Sequence, residues 1–138
     1  MSRGVLVDAG PLIAILNRRD RDHAACVAAL KRLKSPLLTT WMPITEAMHL
    51  LGFSRPAQDG LMAFVERGAL RLLPLDEGDV EGIRELMDRY ADLPMDFADA
   101  SLVHAAIRER INEIFTLDRA DFSVYRLGPR RSFRVVAV

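Results

Sequence analysis

Short, almost wholly apolar runs recur along this chain, and segments with helical periodicity follow or separate them. Val5-Leu6-Val7, Pro36-Leu37-Leu38-Thr39-Thr40, Leu70-Arg71-Leu72-Leu73-Pro74-Leu75, Ile114-Phe115-Thr116-Leu117 and Phe133 to Val138 read as strands. A strand that is apolar on both faces has to be covered on both faces, as in parallel sheets built from strand–helix–strand units. The covering segments are present. Leu12, Ile13, Ile15 and Leu16 follow Pro11, which is placed to open a helix, and Ala25, Cys26, Ala29, Leu30 and Leu33 follow Asp20 or Asp22 as cap. Pro43 starts a helix carrying Ile44, Ala47 and Met48. Arg55-Pro56 marks a break before a short helix stopped at Gly68. Asp76 through Tyr90 forms an acidic-fronted helix, and another runs from near Asp96 to about Arg110. The expected fold is α/β: an α/β/α sandwich with a central, mostly parallel sheet of about five strands and helices on both faces. Residues 1–138 are expected to form one domain.

Composition excludes little. Lys plus Arg and Asp plus Glu each number 19, so formal net charge is zero and no global field draws the chain to nucleic acid or membrane. Lys31 and Lys34 are the only lysines. The remaining positive charge is arginine, whose forked donors suit phosphate, although a general compositional bias produces the same pattern. Cys26 is the single cysteine, so no intrachain disulfide forms and a reducing compartment fits. It sits in an apolar helical pattern that suits a buried thiol. Asp8 and Gly10-Pro11 interrupt the N-terminal apolar stretch, which is unlike a signal peptide. Nothing approaches the ~20 apolar residues of a membrane span, and the expectation is a cytoplasmic protein.

Five acids stand out against this background: Asp8, Glu46, Asp96, Asp99 and Asp118. Asp8 and Asp118 each end a strand run. Glu46 is expected in the first turn of the helix after the second strand, and Asp96 and Asp99 share one face at the start of another helix. In open α/β sheets the functional crevice lies beyond the carboxyl ends of the strands, so all five are expected at one sheet edge. Each also has a purely structural reading. Asp8 and Asp96 suit helix N-caps, Glu46 suits a helix dipole, and Asp118 suits an Asx turn. Four separate segments delivering acid to one edge favours a common purpose. Carboxylates crowded together attract a hard divalent cation such as Mg²⁺ or Mn²⁺, which lowers the pKa of water and neutralises a scissile phosphate.

In this order the residues resemble the PIN-domain family of metal-dependent nucleases. Val5-Leu6-Val7-Asp8-Ala9-Gly10-Pro11-Leu12 is similar to the family's first strand and acid, and Thr45-Glu46 to its second acid. Met95-Asp96-Phe97-Ala98-Asp99-Ala100-Ser101-Leu102-Val103 resembles its aspartate-led helix. Phe115-Thr116-Leu117-Asp118-Arg119-Ala120-Asp121-Phe122 resembles its closing strand and acid. The resemblance implies that Asp8, Glu46, Asp99 and Asp118 are catalytic and bind Mg²⁺ or Mn²⁺, with Asp96 accessory, Thr116 supporting Asp118, and Asp121 structural. The size resembles VapC-like toxins of type II toxin–antitoxin modules. That likeness implies an RNA substrate, a cognate antitoxin partner and a homodimer.

Other residues are less specific. Arg18, Arg19, Arg21, Arg32, Arg126, Arg130, Arg131 and Arg134 suit phosphate or simply solvent. Trp41 and Phe53 suit base stacking, with Trp41 equally placed to anchor a short connection. Leu50, Leu51, Phe53, Leu61, Met62 and Phe64 suit a partner groove or the core. His23, His49 and His104 show no ligand spacing and read as structural. A haloacid dehalogenase-type phosphatase needs a second Asp where Gly10 stands, and a phospho-receiver domain needs a late-strand lysine that is missing. The alternatives to a toxin are a housekeeping RNA-processing nuclease and a catalytically silent binding protein.

Overall fold

The computed structural model describes residues 3–138. Five short strands form one all-parallel sheet: β1 (Val5–Val7), β2 (Leu37–Thr39), β3 (Leu70–Leu72), β4 (Glu113–Phe115) and β7 (Arg134–Val135). Their spatial order is β3-β2-β1-β4-β7. The chain therefore steps outward from β1 through β2 to β3, then returns to lay β4 on the other side of β1. That reversal makes the gap between the carboxyl ends of β1 and β4 a topological switch point, where ligand crevices of open α/β sheets form.

Alternation along the strands builds two cores. Successive strand side chains point to opposite faces. Leu6 and Ile114 accordingly enter one buried cluster, while Val5, Val7 and Phe115 enter the other. The first cluster is closed by α5 (Val80–Arg89) and α6 (Phe97–Glu109), through Ile83, Leu86, Leu102 and Val103. The second is closed by α1 (Ala9–Leu16), α2 (His23–Arg32), α3 (Trp41–Leu50) and α4 (Arg55–Glu66), through Leu12, Cys26, Ile44 and Leu61. This is the three-layer α/β/α arrangement expected from the apolar runs.

Helix boundaries depart from expectation in instructive ways. α1 begins at Ala9, capped by Asp8, so Pro11 occupies the third helical position rather than opening the helix. α3 begins at Trp41, so Pro43 again lies in the first turn, where a missing N–H costs nothing, and Glu46 falls in the second turn. Trp41 is thus the first residue of a helix and not part of a connection. Arg55-Pro56 opens α4 behind the Ser54 cap, and Gly68, at φ +79°, turns the chain after it. Ahead of α5, a single 3₁₀ turn (Glu77–Asp79) forms in a reciprocal box between Asp76 and Asp79. Asp22 precedes α2 without a side-chain cap bond.

Two elements were not legible as such: α7 (Arg119–Val124), and a hairpin of β5 (Arg126–Gly128) and β6 (Arg131–Ser132). Both are held by aromatic packing. Tyr125 meets Tyr90 and Phe122 edge-on at centroid distances of 5.1 Å, and Phe122 meets Phe133 at 5.5 Å. Among the histidines, His23 Nδ1 lies 2.7 Å from the Ala14 carbonyl, and His104 Nε2 lies 2.8 Å from Asp79, so both serve packing. The Asp79 carboxyl is held down to about 2, first by the Asp76 N–H and then by His104. Cys26 is fully buried, and burial pushes its thiol up to about 11, far from nucleophilic use.

Phe115 is fully buried on β4, beside the central strand of the sheet. Phe115→Ala should cost about 3–5 kcal/mol. The expected signature is a lower denaturant midpoint with an unchanged m-value.

Candidate active site

Asp8, Glu46, Asp96, Asp99 and Asp118 line a single cleft of about 430 Å³ at the carboxyl edge of the sheet, with Gly10, Ile13 and Leu50 among its other walls. The acids come from four places: the β1–α1 junction, α3, the start of α6, and the β4–α7 junction. No Lys, Arg or His among the described residues lines it.

Three of the acids do two jobs at once. Asp8 Oδ1 accepts the Ala9 N–H at 2.8 Å, Asp96 Oδ1 accepts the Asp99 N–H at 2.7 Å, and Asp118 Oδ1 accepts the Asp121 N–H at 3.4 Å. Each is an N-cap, so its backbone position is set by the helix it starts. Capping and lining the cleft are therefore compatible, because one carboxylate oxygen suffices for the cap. Asp99 follows at the third position of α6 and Glu46 projects from the second turn of α3.

Polar residues behind the acids hold them in place. The Thr116 hydroxyl donates to Asp8 Oδ2 at 3.0 Å and accepts the Asp118 N–H at 3.0 Å, tying the two junctions together. Thr116 thus supports Asp8 directly as well as the Asp118 backbone. The hydroxyls of Thr40 and Ser101 meet at 2.8 Å and join the start of α3 to α6. Sequence reasoning missed Tyr125, whose phenol donates to Asp99 Oδ2 at 3.2 Å. Its ring is fully buried. Burial, reinforced by the Asp99 charge, pushes its pKa up and keeps the phenol a donor. Asp121, at the third position of α7, is not among the residues lining the cleft.

Electrostatics follow from this crowding. Asp8 is only 9% exposed, and burial raises its pKa, with the Asp96 and Asp118 charges adding to the rise. Glu46 is raised by partial desolvation and then by Asp8 and Asp96. Asp118 is raised by partial desolvation and by Asp121. Asp99 is pushed up to about 7 by burial, then by Asp96 and Asp8, against the opposing Tyr125 bond. Carboxylates so placed gain from any cation that joins them. Among the described residues no three His, Cys, Asp or Glu side chains are gathered tightly enough to enclose a metal ion. An open acidic cleft suits Mg²⁺ or Mn²⁺ of a kind that keeps several waters and takes few carboxylates, and does not suit a dehydrated, fully caged ion. The donor set is all oxygen, which fits those hard cations.

A model of the PIN domain family matches residues 5–126. This chain belongs to the PIN domain family. Ribonuclease VapC26 of Mycobacterium tuberculosis is 27% identical over 125 residues, covering 88% of this chain and 92% of that protein. In structure the PIN fold here is similar to the crystal structure of VapC20 of the same organism, described as a sarcin–ricin-loop-cleaving toxin. That match has a TM-score of 0.76 at 17% identity, over 83% of this chain and 90% of the other. A toxin–antitoxin complex from Klebsiella pneumoniae matches with a TM-score of 0.67 at 18% identity, over 96% of both chains. VapBC2 from Rickettsia felis, bound to a DNA fragment from its promoter, matches at 0.63 with 13% identity, over 96% of this chain and 98% of the other. No helix among the described residues is long and apolar enough to cross a membrane.

The raised Asp99 pKa makes metal-free stability pH-dependent. Between its ordinary 3.8 and about 7 the folded state binds more protons than the unfolded one, so stability falls as pH rises through that window. In EDTA, Asp99→Asn should melt above the wild type at pH 8 and converge with it near the lower end of the window. Coincident melting curves at pH 8 would contradict the assignment. Tyr125→Phe removes a donor to the ionised form, so the Asp99 titration followed by NMR should move upward.

Proposed function

We propose that this PIN-domain chain, residues 1–138 acting as one domain, is a Mg²⁺- or Mn²⁺-dependent ribonuclease serving as the toxin of a type II toxin–antitoxin pair. The observation that carries the reading is the convergence of five carboxylates from four segments on one cleft with no basic side chain in its lining. Asp8, Glu46, Asp99 and Asp118 are the residues that hold the cation, with Asp96 accessory. When bound, the cation supplies charge neutralisation at the scissile phosphate and a lowered pKa for water. The chain's own part is orientation and proton handling. Glu46 or Asp96, both exposed side chains, takes the proton from the attacking water as its oxygen bonds to phosphorus and the bond to the leaving ribose oxygen breaks, and that oxygen is protonated from solvent. Asp8, fixed on both oxygens by Ala9 and Thr116, acts as the rigid anchor of the site.

The toxin reading is supported by the VapC relatives, which this chain covers nearly end to end. By the same likeness the partners are an antitoxin and a second copy of the chain. An apolar hollow lined by Met42, Leu75, Val80 and Phe97, the last two half-exposed, is suited to the second copy. A cytoplasmic location fits an RNA substrate.

Purified protein free of any antitoxin should cut single-stranded RNA with Mg²⁺ or Mn²⁺ and stop with EDTA. Asp8→Asn and Asp99→Asn should lower the rate by on the order of 10²–10³, the equivalent of several kcal/mol of lost charge stabilisation. Each metal should also raise the melting temperature of the wild type with the logarithm of its concentration above the dissociation constant and leave Asp8→Asn nearly unmoved. Intact RNA with both metals, or full activity of Asp8→Asn, would remove the proposal.

A further inference from the structure

A second hollow is lined by the continuation of two segments that wall the acidic cleft, and it has the opposite chemistry. The cleft is walled in part by Ile13 on α1 and Leu50 at the end of α3. Leu16 and Phe53, each three residues further along the same two segments, wall the second hollow together with Arg18 and Arg19. Segment α1 and the end of α3 therefore contribute to both spaces, about one helical turn apart along each. Eight helical residues at 1.5 Å each put roughly 12 Å between the acidic and basic ends.

The basic end is built rather than frayed. Asn17 ends α1, and its side-chain oxygen accepts the Arg19 N–H at 3.1 Å, holding the turn that carries both arginines. Both are exposed, and among the described residues neither guanidinium has an ion-pair partner. Phe53 is 69% exposed, the most open large apolar side chain among the described residues. It is fixed in the tight turn between α3 and α4, where the Ser54 N–H donates to the Leu51 carbonyl at 3.0 Å and the Ser54 hydroxyl caps α4. The dipole of α1 accounts for basic residues just past its C-terminus. It does not account for a bare phenyl ring beside them.

We propose that the RNA strand runs from the acidic cleft along a groove beside α1 into this second hollow, with Arg18 and Arg19 gripping phosphates a few nucleotides from the scissile bond and Phe53 stacking on a base. The inference rests on the ribonuclease reading and adds to it the strand's direction away from the acids. Charge complementarity selects nucleic acid over an apolar peptide: a strand needs cations where side chains are acidic, and finds fixed cations at the other end. An exposed aromatic with adjacent guanidinium groups is the usual sequence-tolerant platform for single strands.

The test is fluorescence anisotropy with a labelled oligouridylate of about 10 nucleotides. It is run in EDTA so that binding is read without cleavage, on wild type, Phe53→Ala, Phe53→Trp, the double variant Arg18→Ala/Arg19→Ala, and Arg89→Ala on α5 across the sheet. Phe53→Ala should weaken binding about tenfold and Phe53→Trp should restore it. The double arginine variant should weaken binding and flatten the plot of log affinity against log salt by about 1.4, two phosphates at about 0.7 each. Arg89→Ala should leave the slope alone. Equal affinity and slope in all variants, or no binding by wild type, overturns the proposal. So does a Phe53→Ala effect confined to sedimentation or to binding of an antitoxin, which would assign the groove to a protein. Cleavage by wild type with Mn²⁺ is scored separately. Cutting with unaltered variant binding sinks the groove alone, and weakened variant binding without cutting sinks the ribonuclease reading and keeps the groove.

Discussion

Mutual repulsion among carboxylates held at the carboxyl edge of the sheet is the constraint around which this molecule is organised. Five acids share a cleft that no basic side chain among the described residues lines, and burial raises Asp8 and Asp99 further. Such a cluster costs stability whenever it is ionised and empty. The structure tolerates it because three of the acids are simultaneously helix caps. Asp8, Asp96 and Asp118 each satisfy a backbone N–H that would otherwise be unpaired, and each benefits from the positive end of its helix. Capping offsets part of the repulsion and, more usefully, fixes where the charge sits.

The rest of the fold follows from keeping those helix starts close together. The strand order turns back between β1 and β4, so the junctions bearing Asp8 and Asp118 are adjacent. Thr116 links them with one hydroxyl, used as donor on one side and acceptor on the other. The Thr40–Ser101 contact does the same for α3 and α6, and Tyr125 reaches up from beneath Asp99. The bracing side chains are buried and uncharged, so they position the acids without neutralising them. The cleft keeps its appetite for a cation, and α1, which lines it through Ile13, also lines through Leu16 the hollow that bears Phe53 and the two arginines.

Much of this was readable from residue pattern. The nearly all-apolar inner strands required a parallel sheet covered twice, and the alternation of Leu6 against Val5 and Val7 between the two cores is the direct outcome. The placement of acids after strands was enough to expect one edge. Boundaries were harder. Proline at the third position of α1 and α3 looked like a helix start because its fixed φ fits anywhere in the first turn. The α7 segment and the β5–β6 hairpin escaped because their stabilisation is a set of ring contacts between residues up to 35 apart in the chain. Of the six apolar residues around α3 and α4, Leu51 and Leu61 are buried while Leu50 and Phe53 are open, a split that periodicity alone left undecided.

The amino-acid sequence by itself determined the layer architecture, the burial of Cys26 and the supply of acids to one sheet edge, because each depends on local periodicity and on where strands end. Tertiary structure alone decided that the acids share one cleft, that Tyr125 and Thr116 brace them, and that Phe53 shares a hollow with Arg18 and Arg19. Those outcomes depend on distances between segments far apart in the chain, set by strand order and by how closely helices approach, and no local pattern encodes such distances.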